Sequence, residues 1–167
     1  MNEELFIVSL VGGAAVLLSY LFLYYDDDSA KAWGGIEEGN WRMAWFASAA
    51  LTVISYIFLW VCFVFIIEEK STILFTGWLI FLTSASQWTY LTLIDIKEAR
   101  KSMALLVNLT VTTIACVMIF IAVIMVEDHD ALKPYMLISS VYLVAHHGIV
   151  DNWLWYAAFP DQNFIPM

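Results

Sequence analysis

The sequence predicts an all-α integral membrane protein, a single domain of five transmembrane helices over residues 1–167, and three observations predict it. First, 62% of the residues are hydrophobic and 14% charged, with a mean hydropathy of +0.79. Soluble domains are closer to about half apolar and about a quarter charged, so a water-soluble fold is excluded. Second, apolar runs of about 20 residues, enough to cross roughly 30 Å of hydrocarbon, recur along the whole chain and leave no segment for a soluble domain. Third, alternating segments of about ten residues are absent, which excludes a membrane β-barrel. Backbone polar groups in lipid must then be bonded within each segment, and helices satisfy that demand.

Charged and turn-forming flanks bound the five spans at about 4 to 25, 42 to 67, 72 to 94, 103 to 126 and 135 to 158. The first follows Asn2, Glu3 and Glu4 rather than a basic region. No small-residue cleavage site precedes Tyr24 and Tyr25, so the span reads as a retained helix. The breaks run from Asp26 to Asn40, Glu68 to Ser71, Asp95 to Ser102 and Glu127 to Pro134. Short links make sequential helices antiparallel neighbours. Lys31, Arg42, Lys97, Arg100 and Lys101 fall at one end of the bundle, Lys70 and Lys133 at the other. Basic residues accumulate on the cytoplasmic side, which predicts an outside N-terminus and a cytoplasmic C-terminus. The net charge of −9 sits in short loops and names no partner. Cys62 and Cys116 lie in apolar runs and read as small hydrophobes. Asn108-Leu109-Thr110 matches a glycosylation pattern but lies inside a span, out of reach of a lumenal transferase.

The first loop is the one long connection and carries Trp33, Gly34-Gly35 and Trp41. Its tryptophans fit an interfacial aromatic belt, and they fit a lid over a ligand; both readings stay open. In helix two, Trp41, Trp45, Ser48, Thr52, Ser55, Tyr56 and Trp60 recur at three- and four-residue steps. Such a stripe serves close packing between helices, or the wall of an aromatic cavity, and it is expected to face the bundle. Helix three places Thr76, Thr83, Gln87 and Tyr90 on one face, and Ser84, Trp88 and Asp95 on a neighbouring one. An amide in hydrocarbon needs a partner, so Gln87 is expected to bond Asn108 or Thr112 of helix four.

Helix five differs, because His146, His147 and Asp151 fall in its middle or inner half, where ionisable groups are expensive. His147 and Asp151 stand one turn apart, so an imidazole to carboxylate hydrogen bond facing the interior is expected. It serves either as a satisfied buried pair or as a device for ligand or proton handling. Adjacent residues of an α-helix diverge by about 100°, so the two histidines are not expected to chelate one metal, and no metal site is expected. Phosphate-cradling glycine loops, HExxH, a potassium-filter sequence, an intramembrane lysine and arginine repeats are all absent from the sequence.

From helix three onward, Gln87-Trp88-Thr89-Tyr90, the basic turn Lys97 to Lys101, Ala104-Leu105, and Ala131-Leu132-Lys133-Pro134-Tyr135 follow in order. With Trp41 and Trp45 entering helix two, this order resembles the tryptophan-rich sensory protein and translocator protein family of five-helix membrane proteins. Two places depart from that family. Its Trp-x-Pro-Pro run in the first loop is replaced by Trp33-Gly34-Gly35-Ile36, and its Asn-containing end of helix five by His146-His147 through Trp155. The resemblance implies binding of a hydrophobic planar ligand, a porphyrin or sterol, between the helices beneath the first loop. Lys133-Pro134-Tyr135-Met136-Leu137 also fits the reversed cholesterol pattern.

The leading expectation is therefore a non-enzymatic receptor or carrier. Its ligand would meet Trp33, Trp41, Trp45, Tyr56, Trp88, Tyr135, His147 and Asp151. A porphyrin is the candidate ligand, and no other cofactor is named. The alternatives are a membrane enzyme of sterol-isomerase type using the His147/Asp151 pair, and a small accessory subunit of a larger membrane complex. The expected partners are the bilayer and a hydrophobic small molecule, with a homodimer or other membrane proteins left open and no nucleic acid.

Overall fold

In a computed structural model the described residues are 1–26, 32, 40–67, 70–98, 101–127 and 129–156, and among them every regular element is a helix. Helix α1 spans Glu3–Tyr24, α2 Asn40–Val61, α3 Thr72–Lys97, α4 Met103–Met125 and α5 Lys133–Ala145. The sequence bounds hold to within a few residues, except that α5 and α2 do not end where their α-helical turns do. A π-helical turn, Cys62–Ile66, continues α2, and a ten-residue π-helix, His146–Trp155, continues α5. Their wider turns are seen in the bonds that close them. The Ile67 N–H donates to the Cys62 carbonyl at 2.8 Å, and the Tyr156 N–H to the Asp151 carbonyl, each five residues back.

Local chemistry starts four of the helices where the sequence says. The Asn2 side chain accepts from the Leu5 N–H, Ser71 from Leu74 and Ser102 from Leu105, so three N-termini carry side-chain caps. Pro134 occupies the first turn of α5, where its missing N–H costs no helical bond. The Asn2 N–H also donates to the Val64 carbonyl at 2.8 Å, tying the chain start to the π turn of α2.

The helices close into a ring in the order α1, α3, α4, α5, α2, with α1 returning to α2 through its π turn. Small residues set the closest approaches. A Cβ added at Gly12 would stand 2.7 Å from Leu82 Cδ1, and one at Gly77 would stand 2.9 Å from Met118 Cβ. One apolar core gathers Leu5, Leu59, Phe63, Trp78, Ile119 and Met136; a smaller one, Leu105 and Leu109, is flanked by Trp45, Trp88 and Tyr156. Outward faces are apolar too, with Leu17, Phe22 and Ile138 largely exposed. Three helical stretches, Glu3–Tyr24, Arg42–Ile66 and Met103–Met125, are long and apolar enough to cross a membrane.

The α2 stripe faces inward: Ser48 bonds to α5, Thr52 is buried, and Tyr56 packs on the main core. Helix three corrects the expectation for its polar faces. Gln87, Thr83 and Tyr90 are exposed on the outer side, while Ser84 and Asp95 are buried. Asn108 finds its partner elsewhere, donating to the Ser84 carbonyl at 3.0 Å. A backbone carbonyl is thereby paired across α3 and α4, which the amide-to-amide expectation did not foresee.

Candidate functional site

The polar centre of the bundle is built on the π-helical end of α5. In an α-helix, residues five apart stand about 140° apart around the axis, so Asp151 would face away from His146. A π turn holds more residues and advances each through a smaller angle, which brings position i+5 back beneath position i. The Asp151 carboxylate therefore meets both histidines. His147 Nδ1 and Asp151 Oδ2 are 2.8 Å apart, and His146 Nε2 and Asp151 Oδ1 are 3.5 Å apart. The two imidazole rings lie 5.2 Å apart at 77°. The expected His147–Asp151 bond is present, but the expectation that adjacent histidines cannot converge is overturned. Donor atoms of His146, His147 and Asp151 all fall within 4.8 Å of one another, because the backbone is not α-helical there.

A second layer holds the first in place. Ser48 of α2 sits 2.8 Å from His146 Nδ1 and 2.9 Å from the Tyr142 hydroxyl, so one hydroxyl links α2 to two residues of the last helix. Tyr142 precedes His146 by one helical turn and shares its face. His146 lies against the Trp45 ring at 6.4 Å, and His147 meets Phe81 of α3 edge-on at 5.4 Å. Asn152 reaches Thr110 and Thr113 of α4 at 3.4 and 3.5 Å. Helices α2, α3 and α4 each contribute a neighbour.

Burial gives this cluster its energetic weight. The side chains of His146, His147 and Asp151 are 4%, 15% and 16% exposed. A carboxylate at such depth is penalised unless paired, and here two imidazoles face it. His147 Nε2 is buried with no hydrogen-bond partner among the described residues. An imidazole nitrogen in that state is a donor or acceptor held ready for something that can bond it.

The other predicted site residues divide. Trp45 and Trp88 pack on the same Leu105/Leu109 cluster, and Trp88 also touches Tyr20, at 5.9 Å between rings. Tyr56 belongs to the main core, 5.1 Å from Trp78 and 5.6 Å from Phe81, the ring that in turn meets His147. Tyr135 is 63% exposed at the start of α5 and is not brought to the cluster. Trp33 and the Trp41 side chain lie outside the described residues. Tyr142 was not singled out in the sequence, although its spacing from His146 was the available signal. Ser48 was read as one hydroxyl of a stripe rather than as the anchor of a histidine.

A cavity of about 350 Å³ lies elsewhere, at the α2–α3 turn, lined by Phe63, Ile67, Lys70, Thr72, Met125 and Val126 among others. Its size is in the range of ligand pockets, yet it contains none of the predicted site residues. Its lysine, Lys70, is already paired with Glu4 at 3.0 Å. Size points to this cavity and chemistry points to the histidine cluster. The cluster is the stronger candidate, because buried ionisable groups are costly to keep without a use. Compared with family models, with curated proteins and with solved structures, the chain matches none of them.

Proposed function

We propose that this chain is a multi-pass integral membrane protein that binds a hydrophobic planar ligand of porphyrin or sterol type, as a receptor or carrier. The recognition site is the His146/His147/Asp151 cluster with the aromatic rings beside it. One observation carries the reading: in an otherwise apolar bundle two histidines and a carboxylate, each at most 16% exposed, converge at one point that α2, α3 and α4 pack against. Pockets for such ligands combine mostly apolar walls with a few placed polar groups, and Trp45, Trp88 and Phe81 supply flat apolar surface here. The apolar outward faces and the three long apolar helices support insertion, with all five helices crossing. The resemblance to translocator proteins points to the same ligand class.

The test is titration of the detergent-purified protein with protoporphyrin IX and with haem, followed by tryptophan quenching and the Soret band. Saturable one-to-one binding is expected, weakened at least about tenfold in Trp45→Ala and His147→Ala, as loss of a stacking ring or a buried polar partner requires. Linear, unsaturable quenching equal in all three proteins would overturn the reading. The short His147 to Asp151 contact favours a second reading, a sterol-isomerase-type enzyme in which the pair relays a proton. Turnover of a sterol substrate that is lost in Asp151→Asn would select it over the receptor.

A further inference from the structure

We infer that His146, His147 and Asp151 form a binding site for one divalent transition-metal ion of the zinc or cobalt class. The inference stands on the geometry of the cluster and does not depend on a planar ligand binding there. Metal sites show a recognisable division of labour: one nitrogen of each histidine binds the ion, and an outer hydrogen bond fixes the ring. Ser48 is placed to do this for His146, holding Nδ1 at 2.8 Å and leaving Nε2 toward Asp151. Ser48 is in turn held by Tyr142 at 2.9 Å. The separation of His146 Nε2 from Asp151 Oδ1, 3.5 Å, is close to the edge of a coordination tetrahedron. Two ligands at about 2.1 Å from one zinc ion stand about 3.4 Å apart.

The third ligand, His147, completes the triangle after a small movement. Donor atoms of the three residues already lie within 4.8 Å of one another, so the longest edge closes by about 1.4 Å to reach tetrahedral spacing. The ion takes the place of the hydrogen bond between His147 Nδ1 and Asp151 Oδ2, and the ring's single proton is carried on Nε2, so the imidazole stays neutral. Charge agrees: one carboxylate and two neutral imidazoles carry −1, which a divalent ion reverses to +1. Two nitrogens against one oxygen select a transition metal over magnesium or calcium, and three protein ligands leave the fourth position open.

The experiment uses full-length protein with a tag free of histidine, stripped by chelator in detergent and titrated with Co²⁺. One equivalent should produce visible ligand-field bands, abolished by Zn²⁺ competition and accompanied by a rise in thermal stability. Asp151→Asn and His147→Gln, close in shape to the native residues, should each weaken uptake at least about tenfold, and Ser48→Ala about tenfold through the outer shell. His129→Ala, in the α4–α5 connection, should leave it unchanged. Absence of bands in the wild type would overturn the site. So would uptake of several ions unaffected by Asp151→Asn, which marks adventitious binding to the acidic surface, or loss of the bands in His129→Ala. Should a site variant prove unstable, the wild-type stoichiometry and the Zn²⁺ competition still decide, because both need only the native chain.

Discussion

Asp151 is held by two imidazoles at once, and the two contacts are unequal. The bond to His147 is short and direct at 2.8 Å, whereas His146 stands off at 3.5 Å and gives its other nitrogen to Ser48. The nearer partner therefore carries more of the cost of burying the carboxylate. Removing it in His147→Ala leaves an under-compensated charge, and breaking buried pairs in this way costs about 3–5 kcal/mol. Asp151→Asn keeps the shape and removes the charge, so its cost is expected to be smaller, about 1–3 kcal/mol. Thermal denaturation of both variants in one detergent measures the order; a larger loss for Asp151→Asn would show that something other than His147 stabilises the carboxylate. Ser48→Ala tests the next layer, with an expected loss of about 1–3 kcal/mol from stranding a buried imidazole nitrogen. If a double variant with His146→Ala loses the sum of the two single effects, the hydroxyl and the ring do not act as a unit.

At the scale of the helices, glycines give a sharper test than any charged residue. Gly77 of α3 faces α4 so closely that an added Cβ would lie 2.9 Å from Met118 Cβ and 3.2 Å from the Ala115 carbonyl oxygen. The carbonyl cannot move aside without disturbing α4, so Gly77→Ala should cost about 1–3 kcal/mol as an overpacked contact. Gly13, in the middle of α1, has nothing within 4 Å of the same added atom. There the substitution should be neutral or stabilising by up to about 1 kcal/mol, since alanine is the better helix former. Melting the two variants side by side checks the assignment of inner and outer faces, and equal effects would contradict it. The helices themselves were legible because acids, glycines and prolines punctuate an otherwise apolar chain. The α2 stripe was legible because its tryptophans and hydroxyls repeat at helical steps. The face of α3 was not: Thr83, Gln87 and Tyr90 form as regular a polar row as Ser84 and Asp95, and periodicity alone does not rank two rows. The π register of α5 was not legible either, since no residue type marks an i to i−5 bond. That hidden register is why His146 and His147 were expected to diverge, while the His147–Asp151 spacing survives either helix type.

For the whole molecule, insertion in a membrane as proposed has a direction, and the distribution of basic residues predicts it. Each end of the ring carries an exposed ion pair: Lys97 with Asp26 at 2.6 Å at one end, Lys70 with Glu4 at 3.0 Å at the other. Such pairs contribute at most about 1 kcal/mol each, so their lysines matter more for orientation than for stability. By the sequence reading five basic residues belong to the first end, Lys31, Arg42, Lys97, Arg100 and Lys101, against Lys70 and Lys133 at the second; Lys31 and Arg100 lie outside the described residues. The first end should therefore face the cytosol, with the N-terminus outside. Cysteines placed singly at exposed Glu98 and Glu127 flank α4 and report opposite sides if that helix crosses the bilayer. The background replaces Cys62 and Cys116, both buried, with alanine. On intact cells an impermeant maleimide should label Glu127→Cys at once and Glu98→Cys only after permeabilisation. Labelling of both from one side would remove α4 from the membrane, and labelling in the reverse order would invert the molecule. Changing Lys97, Arg100 and Lys101 to glutamine lowers the balance from five against two to two against two. The labelled fraction should then divide between the two sides at both positions. A topology that stays unmixed after that change would mean that the order of insertion of α1, not the basic residues, sets the direction.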